Sequence, residues 1–174
     1  MNNQQIRDAR ETDRDTIQSV TLSAYEQYAP LMDGAWEFYR ANILATLAEV
    51  KPAEQIVAET EGSVVGTVLL YPAGTKFQGP DGTQVNLALP EIRLLAVIPT
   101  ARGQGIGQSL VRECVRRARW AGVTALTLHT TDMMKVAMQM YERMGFARMP
   151  ALDFSPAPGH LVKGYRIELD KLMV

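Results

Sequence analysis

"EIRLLAVIPTARGQGIGQSLV", residues 91–111, decides the fold. Its opening, with Pro90 before it, is mostly apolar up to Ile98 and reads as a central strand covered on both faces. Pro99 closes the strand. Behind Arg102 come glycines at alternate positions, Gly103, Gly105 and Gly107. A helix over about 105–121 follows, with Ile106, Leu110, Val111, Cys114 and Ala118 on one side and Gly122 as its C-terminal cap. Glycine inside an element costs about 0.5–1 kcal/mol relative to alanine, so a turn this bare answers a specific need. A strand handing over to a helix N-terminus presents free N–H groups and the positive end of the helix dipole, a setting suited to phosphate. Arg102 adds a charge-assisted contact. The stretch therefore reads as a diphosphate cradle.

Two nucleotide readings fail on spacing. A dinucleotide fingerprint needs G-x-G-x-x-G, and Gln108 stands where its third glycine belongs. A Walker loop needs glycine followed by Lys-Ser or Lys-Thr, and no such pair occurs here.

Working outward, "QQIRDAR", residues 4–10, is a short first strand. Thr12 and Asp15 have capping-box spacing, and Ile17, Val20, Ala24 and Tyr28 predict a helix over about 13–28. A second helix over about 35–49 places Trp36, Tyr39, Ile43, Leu44 and Leu47 on one face, and Pro52 ends the segment. "QIVAET" and "SVVGTVLLY" read as strands joined by the tight turn "EGS", and "PAGTKFQGPDGTQ" as a loop or flared hairpin. "VTALTLH" is a strand, and residues 133–144 form a helix carrying Val136, Ala137, Met140, Tyr141 and Met144, capped by Gly145. "FARMPAL" and "YRIELDKL" complete the pattern as final strands. This order predicts an α+β, three-layer domain over residues 1–174, with a mixed, largely antiparallel central sheet and helices on both faces.

Composition narrows the function classes. The 174 residues carry 47% hydrophobic and 21% charged side chains, ordinary for a globular protein. A net charge of −1 leaves no electrostatic footprint for nucleic acid or an anionic membrane. One cysteine, Cys114, excludes an intramolecular disulfide and a multi-cysteine zinc cluster, and two histidines, His129 and His160, speak against a protein-only metal site. The polar N-terminal stretch reads as no signal peptide, and no 18-residue apolar run occurs, so the expectation is a cytoplasmic protein.

The spacing R-x-x-G-x-G, Arg102 through Gly107, resembles the acyl-CoA pyrophosphate loop of the GCN5-related N-acetyltransferase (GNAT) family. "AMQMYERMGF" is similar to that family's A-x-x-x-Y-x-x-x-G-F segment through Ala137, Tyr141, Gly145 and Phe146. Together the motifs span roughly residues 90–147. The resemblance implies a GNAT-like acyltransferase fold and acetyl-CoA as cosubstrate, held at Arg102, Gly103, Gln104, Gly105, Ile106, Gly107, Gln108 and Ser109. It also implies a bulge that splays "LLAV" from its neighbour, so that main-chain atoms of Leu95, Ala96 and Val97 meet the pantetheine while their side chains stay in the core. One departure is Met134, where the family often has a pantetheine-contacting asparagine.

Acetyl-CoA is an activated thioester, so transfer requires positioning, removal of an amine proton, polarisation of the carbonyl and protonation of the thiolate. Glu91 matches the position of a glutamate that is the general base, often through water, in some members of the family, and burial is expected to raise its pKa; the plainer reading is an exposed strand-start carboxylate paired with Arg93 or solvated. Tyr141 matches the family's thiolate proton donor, and its helical spacing also fits a core aromatic. Cys114 reads as a buried structural thiol, His129 as a structural histidine or a cleft residue, and His160 as a loop residue. Tyr25, Tyr28, Trp36, Phe38 and Tyr39 form an aromatic-rich section where the family recognises substrate, while Glu26, Asp33 and Glu37 either attract a cationic amine or form a solvated face. "LDFSPAPGH" is a candidate loop over the acceptor. The leading expectation is an N-acetyltransferase for a primary amine of a small molecule or peptide. The competing expectations are an acyl-CoA-binding sensor without turnover and a nucleotide-binding protein. A homodimer is implied by similar proteins, and the final strand is a place for partner pairing because an unpaired sheet edge invites it.

Overall fold

The computed structural model describes residues 4–78 and 82–169. The expected ends of the chain at residues 1–3 and 170–172, and Gly79–Asp81 of the expected hairpin loop, lie outside them. The chain divides into two compact units, residues 1–70 with 94–113 and residues 71–93 with 114–174.

In the first unit, β1 (Gln4–Asp8) pairs antiparallel with β2 (Glu54–Thr60), which pairs antiparallel with β3 (Ser63–Tyr71). The C-terminal half of β6 (Glu91–Val97) lies beyond β3. The tight turn is as expected: Glu61 at φ 51° and Gly62 at φ 81° form a hairpin whose twist matches its strands. The predicted first helix is instead a 3-10 turn over Glu11–Asp13, then α1 (Arg14–Tyr25), then a second 3-10 stretch to Leu31 containing Pro30. The capping box sits two residues earlier than its Thr12–Asp15 spacing suggested, because Asp13 accepts from the Arg10 N–H at 2.7 Å. Asp13 is fixed there by Arg7, which grips it at 2.7 Å and 3.1 Å and also reaches Glu59 at 2.7 Å. Helix α2 (Trp36–Ala48) buries Ile43 and Leu47, with Trp36, Tyr39 and Leu44 half-buried. Ile17, Val20 and Ala24 of α1 join Ile56, Val57, Val68 and Leu69 in the core. Helix α3 (Ile106–Trp120) begins in this unit and buries the predicted stripe of Ile106, Leu110, Val111, Cys114 and Ala118.

The second unit holds a small antiparallel hairpin, β4 (Lys76–Gln78) with β5 (Gln84–Asn86), confirming the flared-hairpin alternative. Its main strands are the start of β6, then β7 (Ala125–Thr130) and β10 (His160–Glu168), with β8 (Ala147–Arg148) beyond. The pairing of β6 with β7 is parallel, while β7, β8 and β9 (Phe154–Ala157) all pair antiparallel with β10, giving the expected mixed, largely antiparallel sheet. "FARMPAL" is no full strand: after β8 the chain makes a 3-10 turn over Pro150–Leu152. "LDFSPAPGH" contains β9 and the start of β10. Among the described residues, β10 pairs with β7 over Lys163–Glu168, with β8 at Tyr165 and Arg166, and with β9 at His160 and Val162. Helix α4 (Lys135–Arg143) buries Tyr141, but Val136 is 80% exposed and does not share the apolar face assigned to it. No helix among the described residues is long and apolar enough to cross a membrane.

Candidate active site

The glycine turn lies wholly in the first unit. Gly103 and Gly105 adopt φ 74° and 77°, a left-handed backbone that any side chain strains. A Cβ built on either would meet no heavy atom within 4 Å, so the backbone faces open space rather than a neighbouring wall. Gly107 stands in the first turn of α3, and Ser109 closes that turn, its N–H donating to the Gly105 carbonyl at 3.0 Å and its hydroxyl at 3.2 Å. The first N–H groups of a helix have no partner within it, so they and the helix dipole favour an anion here. Ile106 is buried and anchors the helix start, while Gly103, Gln104 and Gly105 are exposed and Gly107 and Gln108 half-buried. Arg102 is tied back to α1: its Nη1 donates to Gln27 at 3.2 Å and its Nη2 to the Ala24 carbonyl at 3.2 Å. That anchoring holds the cation at the mouth of the turn, and nothing in the sequence near Arg102 announced it.

Just before the turn, Leu94 sits at φ 49° within β6, a left-handed residue inside a strand. Such a residue costs about 1–3 kcal/mol and is retained only where its surroundings enforce it. The ladder of β6 with β7 consists of Glu91↔Thr127 and Ile92↔Leu128, and Leu94 is the kink that follows. Ala96 is buried as expected, but Leu95 and Val97 are only half-buried. The Leu95 carbonyl accepts from the Tyr25 hydroxyl at 3.1 Å, a restraint on the main chain expected to meet pantetheine that the sequence did not reveal. Tyr25 also stacks with Tyr28 and Tyr39, with ring centres 6.1 Å and 6.0 Å apart. Trp36 lies against Tyr39 at 6.4 Å, so four of the five section aromatics form one cluster, whereas Phe38 is exposed. Burial pushes the Tyr39 phenol up to about 12. Glu26, Asp33 and Glu37 are all exposed, as a solvated face would be.

In the second unit Glu91 is 3% exposed. Arg93 Nε donates to its Oε1 at 2.5 Å, and His129 Nδ1 lies 3.2 Å from its Oε2. His129 Nε2 is 2.8 Å from the Leu152 carbonyl, and the ring stands edge-on to Phe154 at 5.3 Å. Both partners of the imidazole are acceptors, so both its nitrogens donate when Glu91 is ionised. Burial pushes the Glu91 carboxyl up, yet the hydrogen bond from His129 and the charges of Arg93 and His129 outweigh it, leaving the pKa below its ordinary 4.5. The upward shift expected from burial alone is thus reversed. Burial pushes His129 down, and the bond and charge of Glu91 outweigh that, raising it above 6.5.

The Leu152 carbonyl is held in place by its own turn. Arg148 donates to both oxygens of Asp153 at 2.8 Å each, and Asp153 accepts the Gly164 N–H at 2.8 Å. Asp153 is accordingly lowered to about 2, first by Arg148 and then by Gly164. A Cβ on Gly164 would lie 2.4 Å from the Leu152 Cβ, so only glycine lets β10 approach this turn. His129 thus belongs to a hydrogen-bonded cluster that its sequence context did not announce. Tyr141 is buried on α4 with its ring 5.9 Å from Phe146. Met134 ends the 3-10 turn before α4. Cys114 is buried, and His160 is exposed where β10 begins.

Residues 18–146 match the acetyltransferase (GNAT) family. The mycothiol acetyltransferase of Cellulomonas flavigena is 32% identical over 111 residues, which are 62% of this chain and 30% of that protein. The chain thus spans about a third of the length of that curated relative. An acetyltransferase of the GNAT family from Desulfovibrio desulfuricans superposes with a TM-score of 0.69 at 17% identity, covering 95% of this chain and 99% of that one. A Salmonella typhimurium acetyltransferase solved with its cofactor acetyl-CoA gives 0.60 at 20% identity, covering 99% and 98%. These structural likenesses establish the fold.

Proposed function

The chain belongs to the GNAT acetyltransferase family, and from that premise we propose that it is an N-acetyltransferase that moves the acetyl group of acetyl-CoA directly to a primary amine of a small molecule or peptide in a ternary complex. The observation that carries this reading is the turn at Gly103 and Gly105, left-handed and open, at the start of α3. Acetyl-CoA supplies an activated acyl group, so the chain needs no nucleophile of its own. Backbone N–H groups from Gly103 to Gln108 bind the pyrophosphate, aided by Arg102, while Ser109 closes the turn on the Gly105 carbonyl and does not donate its N–H to the ligand. Main-chain atoms of Leu95, Ala96 and Val97, which follow the kink at Leu94, hold the pantetheine. In the second unit the Glu91–His129 pair takes the amine proton, and the Tyr141 hydroxyl protonates the departing thiolate. A homodimer rests on family likeness alone.

Calorimetric titration with acetyl-CoA, followed by free-thiol release across a panel of primary amines, tests the reading. Binding with amine-dependent thiol release, reduced by about 100-fold in Tyr141→Phe, is the expected result. Binding without release for any amine identifies a sensor instead. Failure of folded protein to bind acetyl-CoA overturns both.

A further inference from the structure

Arg93 does more than neutralise Glu91. Its guanidinium carbon lies 3.9 Å from the centre of the Phe77 ring and 5.4 Å from that of Tyr71. Those two rings meet edge to face with centres 5.0 Å apart. Its Nε is committed to Glu91 Oε1, yet neither Nη1 nor Nη2 has a hydrogen-bond or ion-pair partner among the described residues. The side chain is 36% exposed. A guanidinium pinned at Nε and held over an aromatic ring has lost most of its rotational freedom, so its two terminal nitrogens form a pre-organised fork. With Nε taken, the remaining two-point mode is end-on through Nη1 and Nη2, which matches the two oxygens of a carboxylate.

We infer that Arg93 binds the carboxylate of the acceptor, and that the acceptor class is amino acids or close analogues carrying both an amine and a carboxylate. The inference rests on the acetyl-transfer reading. The L-amino acids are assayed by thiol release beside their carboxamides and decarboxylated amines, with wild-type, Arg93→Gln and Arg93→Lys protein. Wild-type kcat/KM is expected to favour the carboxylate form by about ten- to a hundredfold, in line with a charge-assisted two-point contact. Arg93→Gln collapses that ratio towards one. Arg93→Lys keeps charge without the fork, giving an intermediate ratio with the change in KM rather than kcat. A purely structural Arg93 slows all acceptors alike and leaves the ratio intact, which overturns the inference even if one variant folds poorly. Equal wild-type use of acid and amide overturns it too, as does release with no amino acid by protein that binds acetyl-CoA; both leave acetyl transfer standing. Absence of acetyl-CoA binding removes that reading and this inference together.

Discussion

Replacing Gly105 with glutamate separates the turn's backbone role from its binding role. Gly105 sits at φ 77° with no atom within 4 Å of a built Cβ, so the added Cβ clashes with nothing. The cost to the fold is left-handed strain, about 1–2 kcal/mol. For a chain of this length that corresponds to a fall in Tm of about 2–8 °C. The cost to binding is larger. A carboxylate about 4 Å from one phosphate charge, at an effective dielectric constant of about 20, repels it by about 4 kcal/mol. Acetyl-CoA affinity should therefore fall by close to a thousandfold. Gly62→Glu is the control, because Gly62 has φ 81° and equally open surroundings but lies in the β2–β3 turn. Calorimetry and thermal melts on the three proteins give the answer. Both variants should melt lower by similar amounts, and only Gly105→Glu should lose binding. Gly105→Glu that binds acetyl-CoA within about threefold of wild type would refute the cradle, whatever its Tm.

Other perturbations read other parts of the chain. The lowered Glu91 contributes stability that is present above its ordinary 4.5 and lost as pH falls through its folded value; the raised His129 contributes stability present below 6.5 and lost as pH rises through its folded value. The Tm of wild-type protein should therefore decline on the alkaline side and that of His129→Gln should decline less; a wild-type Tm still climbing between about pH 6.5 and 8 contradicts the pairing. Arg7→Met leaves Asp13 and Glu59 without their shared partner and should cost about 2–4 kcal/mol, somewhat below a fully buried triad, measured by urea unfolding; a loss under about 0.5 kcal/mol would show the cluster to be solvated. Gly164→Ala forces the 2.4 Å approach to the Leu152 Cβ apart and should destabilise by at least about 1–3 kcal/mol. If Gly164→Ala melts like wild type, the turn that positions the Leu152 carbonyl is softer than its contacts indicate.

What the sequence disclosed is what local chemistry determines. The α3 stripe repeats at helical spacing and is buried as read, and the alternate glycines mark a left-handed turn because few other residues tolerate that backbone. Glu91 and Arg93 stand two apart on a strand, so their ion pair was legible as the plain alternative. His129 was ambiguous because its partners, Glu91 and the Leu152 carbonyl, are 38 and 23 positions away by subtraction of residue numbers. The Tyr25 hydroxyl on Leu95 and the Arg102 link to α1 are likewise long-range, and no periodicity encodes them. Val136 was misplaced because α4 is nine residues long, too short for spacing to fix which of its apolar residues face inward. The shifted capping box has a similar cause. Thr12 and Asp15 had the right spacing, but Arg7, five residues before Thr12, recruits Asp13 instead.

The arrangement around Glu91 also bears on where a proton from the acceptor comes to rest. An alkylammonium near pKa 10 is a poor match for a carboxylate held below 4.5, so Glu91 alone is a weak base. The pair behaves differently. With Nε2–H committed to the Leu152 carbonyl, a neutral His129 turns the Nδ1 lone pair towards an ionised Glu91, and the two repel. The other tautomer relieves that contact but sets the Nε2 lone pair against the carbonyl oxygen. Every fully deprotonated form of the pair therefore contains a repulsion, and one proton shared between Nδ1 and Oε2 removes it. That is the physical origin of the raised histidine, and it moves the proton-accepting pKa towards neutral pH, where a general base is most effective. The macroscopic pKa belongs to the pair and not to either residue. Glu91→Gln should lower the pKa seen in the kcat/KM profile, because neutral imidazole no longer faces a carboxylate. His129→Gln should abolish that limb, leaving Glu91 with only Arg93 as partner. An unchanged limb in His129→Gln would return the base role to Glu91 itself.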